Sequence, residues 1–110
     1  MIQFKVQRGE EQQVEAFSLS GHADAGPHGH DIVCAGVSAV SFGAVNAIES
    51  LCGVQLEVEM EQDGGFLRCG VPGGLDPETE EKVQLLLEGM LVSIQSIAEE
   101  YGKYIKISYS

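Results

Sequence analysis

The apolar residues of this chain change period along its length, and that change limits the folds open to it. Ile2, Phe4 and Val6 alternate with Gln3, Lys5 and Gln7, and a second run from Val14 to Ser20 carries Phe17 and Leu19 on one face. Alternation sends successive side chains to opposite faces of a strand, and Arg8-Gly9-Glu10-Glu11 lies between the runs, so this part reads as a hairpin. Val54, Leu56, Val58 and Met60 alternate strictly with Gln55, Glu57 and Glu59. Gln62-Asp63-Gly64-Gly65 then turns the chain into residues 66–71, which makes a second hairpin. Ile105, Ile107 and Tyr109 alternate once more, as a final strand.

Two stretches carry the helical period instead. Val83, Leu86, Leu87, Met90, Ile94, Ile97, Ala98 and Tyr101 recur at spacings of three and four, which predicts a helix from Pro77 to Tyr101 with one stripe on a sheet. Asp76 is its N-cap, Pro77 sits where a missing N–H costs nothing, and Gly102 ends it. Asp31 caps an earlier helix over residues 32–51, because its carboxylate can accept from the first-turn N–H groups. Ala35, Gly36, Ala39, Gly43, Ala44 and Ala47 keep that helix small on several faces, so it is expected to be the central, most buried one. The order is ββαββαβ: an α+β fold, one domain over residues 1–110, with a mostly antiparallel sheet packed with two helices.

Charge narrows the partners. Six Lys and Arg stand against seventeen Asp and Glu, a formal net charge of -11, which argues against direct nucleic-acid contact through a basic face and favours a basic partner. Cys34, Cys52 and Cys69 form an odd set without CxxC spacing, and Met1-Ile2-Gln3-Phe4-Lys5 opens directly into alternation, which predicts a reduced, cytoplasmic setting. Ser38, Ser41, Asn46 and Glu49 interrupt residues 32–51, so no membrane role is expected.

The chemistry gathers between residues 20 and 40. Residues 21–30, GHADAGPHGH, hold three Gly, one Pro and all three His of the chain, the composition of a loop. His22 then stands at a strand end, and Cys34 at the third position of a helix, where the positive end of the macrodipole favours a thiolate. Cysteine peptidase chemistry needs a thiolate, a proton-carrying base and oxyanion donors. Cys34 fits the first, His22 the second, and N–H groups of the first helical turn, that of Cys34 included, the third. Asp31 either orients His22 or only caps the helix. Ser38, one turn after Cys34, either lines the site or bonds the carbonyl four residues back.

Plainer readings stand beside these. An isolated cysteine is commonly a small buried hydrophobe, and Cys52, at a helix end, and Cys69, in a strand, fit that description. His28 and His30, with His22 and Cys34, could hold a transition metal through nitrogen and sulfur, although the spacing matches no zinc pattern. Gly64-Gly65 and Gly73-Gly74 lack the residues of a phosphate cradle and read as turns. No cofactor is called for.

Gly21-His22-Ala23, the Gly-rich loop, and Asp31 to Ala35 followed by Gly36-Val37-Ser38 resemble the signature of the ribosomal-processing cysteine proteases, the Prp family. The resemblance implies a small acidic domain with His22 and Cys34 as catalytic dyad, Asp31 as a further motif position, and Gly21 and Ser38 near the site. It implies a substrate as well: the N-terminal extension of the twenty-seventh large-subunit ribosomal protein, a basic precursor with an aromatic-rich leader. It further implies a homodimer and a flexible loop over residues 23–30, with Ala23, Gly26, Pro27, His28, Gly29 and His30 gating substrate access. A binding role in ribosome assembly without proteolysis is the non-enzymatic alternative.

Overall fold

The computed structural model describes residues 1–22, 31–61 and 65–110. Its elements run β1 (Ile2–Arg8), β2 (Val14–Ser20), α1 (Ile32–Cys52), β3 (Glu57–Met60), β4 (Phe66–Gly70), α2 (Pro77–Tyr101) and β5 (Ile105–Tyr109), the expected ββαββαβ order. The strands form one sheet in the order β3-β4-β2-β1-β5, a neighbour relation that periodicity does not reveal. Three of its pairings are antiparallel, and β5 joins β1 in parallel, with Ile2 opposite Ile105 and Phe4 opposite Ile107. A parallel partner requires a crossover, and α2 supplies it.

One sheet face carries Ile2, Phe4, Val6, Phe17, Leu19, Leu67, Cys69 and Ile105, all buried in a single core with Val33, Val37 and Ile48 of α1 and Val83, Leu87, Met90, Leu91 and Ile94 of α2. The other face exposes Lys5, Gln7, Glu15 and Lys106. Phe4 and Phe17 stack at the centre with ring centroids 5.7 Å apart. The register of β1 with β2 shifts between Gln7 and Arg8, so that Arg8 pairs with Val14 and Gln7 with Ala16. The extra residue, Glu15, is exposed, and the shift lets Val14 reach the core out of step with Phe17 and Leu19.

Polar ties hold α2 to the sheet. The Gln84 carboxamide accepts from the Val14 N–H at 2.8 Å and donates to the Val14 carbonyl at 2.9 Å. Arg8 pairs with Glu88 at 2.7 Å. Asp76 caps α2 by accepting from Thr79 N, with Pro77 in the first turn as expected. Those hydrogen bonds hold its carboxyl below the usual range. At the other end Gly102 has φ -58°, a right-handed conformation, so α2 stops without the left-handed glycine that closes α1 at Gly53, φ 66°.

Two expectations are corrected. The alternation over residues 54–60 becomes a strand only from Glu57 onwards. Val54 and Leu56 are buried ahead of it, whereas Val58 and Met60 are 45 % and 60 % exposed. The strand lies at the sheet edge, and the two helices do not extend far enough to cover it. Nor does α1 stand apart as the most buried helix, since it has four buried residues of 21 and α2 has five of 25. Val33, Val37, Ser41 and Ile48 are those of α1, while Ile32, Phe42 and Leu51 are exposed. Its mean hydropathy of 1.6 and its 21 residues reach the length and composition of a membrane span despite the interrupting polar residues. Here it lies beside α2 on one sheet face, with the Gly36 backbone close enough that an added Cβ would stand 3.8 Å from Ile97 Cδ1.

The sheet also sets the position of His22. Gly21 leaves β2 with φ +82°, and a Cβ there would stand 2.5 Å from the Met1 carbonyl oxygen. Both features demand glycine. Gly21→Ala is expected to cost about 1–3 kcal/mol, read by urea denaturation.

Candidate active site

Helix α1 begins where the sequence places it. Asp31, with φ -80° and ψ 98°, is the N-cap, and Oδ1 accepts from Val33 N at 3.1 Å and from Cys34 N at 3.0 Å. Cys34 is therefore the third helical residue, held half-buried on the core side of the first turn. His22 is exposed two residues past the end of β2. The register that pairs Leu19 with Phe4 and Ser20 with Gln3 sets this strand end beside the start of β1.

Those elements meet at a cavity of about 40 Å³, walled by Ile2, Leu19, Val37, Gly21, His22, Cys34 and Ser38. The imidazole and the thiol thus come from elements twelve residues apart in sequence and share one wall-to-wall space. Ser38 contributes to the same space, as one of its two expected roles required. Ile2, Leu19 and Val37 make the remaining wall apolar. None of these three stood out in the sequence as a site residue. The signal was their membership of the core stripes that end at the site.

Larger concavities lie elsewhere. One of about 520 Å³ sits at the far end of the sheet against Glu15, Glu57, Arg68 and Gly74, and one of about 580 Å³ runs along the outside of α2 by Glu81 and Leu85. Neither is lined by a cysteine or histidine, so among the cavities lined by the described residues the small one carries the thiol and the histidine.

The cap changes one part of the expected arrangement. Because the Cys34 N–H already donates to Asp31, it does not stand ready as an oxyanion donor, and an oxyanion has to find other N–H groups. Asp31 also puts an anion beside the thiol. A cation that stabilises a thiolate there has to come from another element, and among the described residues His22 also lines this cavity.

The other cysteines differ in setting. Cys69 is buried beneath the helices, and burial pushes its thiol up to about 11, with Arg68 pulling weakly the other way. Cys52 is half-buried at the C-terminal end of α1. Among the described residues no group of three or more His, Cys, Asp and Glu could hold a metal ion. Ala23, Gly26, Pro27, His28, Gly29 and His30, expected in the gating loop and in the rival metal site, lie outside the described residues.

Comparison with known proteins points the same way as the cavity. The family model described as cysteine protease Prp matches residues 1–106. The ribosomal processing cysteine protease Prp of Bacillus subtilis (strain 168) is 42 % identical over 108 residues, covering 98 % of this chain and 96 % of that protein. The protein of the same name from Staphylococcus aureus (strain Mu50 / ATCC 700699) is 41 % identical over 109 residues, 99 % of each chain. A crystal structure of the essential ribosomal processing protease Prp from S. aureus, in complex with a covalently linked product peptide, superposes with a TM-score of 0.91 at 40 % identity over the whole of both chains. Another, of the S. aureus protease with a substrate peptide, gives 0.85 at 38 % identity, again over the whole of both chains. The family match across nearly the whole chain, the near-complete coverage of both relatives and the common fold lead to one conclusion: this chain belongs to the Prp family of ribosomal-processing cysteine proteases.

Proposed function

We propose that this protease removes the N-terminal extension of the precursor of the twenty-seventh large-subunit ribosomal protein, with Cys34 as nucleophile and His22 as the proton carrier. The observation that carries this reading is the shared cavity of His22 and Cys34. Cys34 Sγ, as thiolate, adds to the scissile carbonyl carbon. The tetrahedral intermediate collapses as the C–N bond breaks, and His22, as imidazolium, gives its proton to the departing amine. Water then attacks the thioester, His22 takes a proton from it, and the Cys34 thiolate leaves. Ser38 lines the space in which these steps take place, and Asp31 holds the first turn of α1 in register. The chain's net charge of -11 suits a basic precursor made in the cytoplasm.

A homodimer is part of the same proposal, and α1 is where it would form. The helix has one ionisable acid, Glu49, and no base in 21 residues, and its outer side shows Ile32, Ala35, Ala39, Phe42 and Gly43. In a chain this acidic, an uncharged face is where two copies meet without repulsion. Phe42→Lys is then expected to shift the sedimentation coefficient from that of a dimer to that of a monomer.

Mass spectrometry of the precursor incubated with enzyme under reducing, chelating conditions tests the main reading. Cleavage at one site by wild type, with rates falling at least about 10³-fold in Cys34→Ala and in His22→Ala, is the expected result. Cleavage that stops on chelation favours a metal site, and binding of the precursor without cleavage by any form favours an assembly role. Iodoacetamide at pH 8 should alkylate Cys34 well before Cys69, whose thiol stays protonated there, as peptide mapping would reveal.

A further inference from the structure

The open edge of the sheet at β3 has a defined chemical character. In an antiparallel pair, residues alternate between bonding the partner strand and pointing away from it. Glu61 donates its N–H to the Phe66 carbonyl at 3.1 Å, and the pairs Glu59 with Arg68 and Glu57 with Gly70 keep that phase. Val58 and Met60, the alternate residues, therefore turn their N–H and C=O groups away from β4. Their opposites on β4, Cys69 and Leu67, turn theirs towards Phe17 and Leu19 of β2. The same two residues of β3 expose apolar side chains, and Glu57, Glu59 and Glu61 alternate with them, all exposed. Edge strands are commonly protected by lysine or proline, and β3 has neither.

We propose that β3 is a docking strand for the substrate: an extended, basic stretch of the precursor adds to this edge as a sixth strand. Its backbone bonds the outward groups of Val58 and Met60, its apolar side chains lie beside theirs, and its Lys and Arg side chains meet Glu57, Glu59 and Glu61. The inference rests on the reading that the precursor is cut at Cys34. A second copy of this chain does not suit the edge, because β3 against β3 would oppose glutamates with glutamates. The other edge, β5, presents Lys106 and would repel a basic segment.

Position supports the assignment. The Gly21 N–H donates to the Gly65 carbonyl at 3.1 Å, so the β4 start, the β3 end and the residue before His22 share one end of the sheet. An added strand lies three strand spacings from β2, about 14 Å, a distance that four or five extended residues cross. Docked residues are thus that far along the chain from the scissile bond, and their contribution is to affinity.

Met60→Pro removes one outward N–H and no bond to β4, at an edge position that tolerates proline. With a twenty-residue peptide spanning the precursor's cleavage junction, this variant is expected to raise KM about fivefold, the worth of one hydrogen bond, with the loss in KM rather than kcat. Its melting temperature reports whether it folds. Independently, saturating Cys34→Ala protein with the same peptide should slow amide exchange at Val58 and Met60, and not along β5. An unchanged KM in folded Met60→Pro, or unaltered exchange at both amides in the saturated complex, overturns the proposal. Failure of wild type to cut the peptide defeats the cleavage reading instead, while the exchange measurement still decides docking.

Discussion

One-sided burial of the sheet is the constraint on which the rest of this structure depends. Phe4, Phe17, Leu67 and Cys69 face the same way only because their strands pair in a register that keeps alternation in phase across the sheet. Both helices must cover that face, since the other is lined by Lys, Gln, Ser and Glu. Two helices side by side on five strands leave the outermost strand short of cover. The exposed Val58 and Met60 on β3 and the open outer side of α1 are both consequences of that single geometry.

The same constraint brings the candidate dyad together. The side of α1 that faces the sheet carries Val33, Val37 and Ile48, and Cys34 and Ser38 flank this stripe near its N-terminal end. Leu19 and Ile2 are the last core residues of β2 and the first of β1 at that end of the sheet. Packing the stripe onto the strands thus draws the thiol to the mouth of the β1–β2 pair. Gly21, squeezed against the Met1 carbonyl, releases the chain there so that His22 follows at once. The Asp31 cap fixes where the helix starts, and it occupies the Cys34 N–H in doing so.

Charge adds a further layer to this frame. Three of the seventeen acids, Glu57, Glu59 and Glu61, alternate along the least covered strand, whereas the basic residues Lys5, Arg68 and Lys106 belong to strands further in or to the opposite edge. Only the Glu61 end of that acidic edge lies at the end of the sheet that holds the thiol-bearing cavity, and Glu57 stands at the far end.

Much of this was legible before any coordinates. Periods of two and of 3.6 are local properties of the chain, so every strand and helix could be placed from them, as could the caps at Asp31 and Asp76, whose hydrogen bonds reach only two or three residues along. His22 at a strand end and Cys34 in a first turn followed from those same local rules. Burial did not. The small side chains of α1 suggested the most buried helix, yet α1 and α2 share one sheet face about equally, because burial depends on which element lies alongside. By itself the sequence determined the kinds of elements, their order and the residues at their ends. Only the tertiary structure decided the strand order β3-β4-β2-β1-β5, the parallel seat of β5, the cavity shared by His22 and Cys34, and the edge left open at β3. Those rest on contacts between residues distant in the chain, which packing and register select and local periodicity cannot encode.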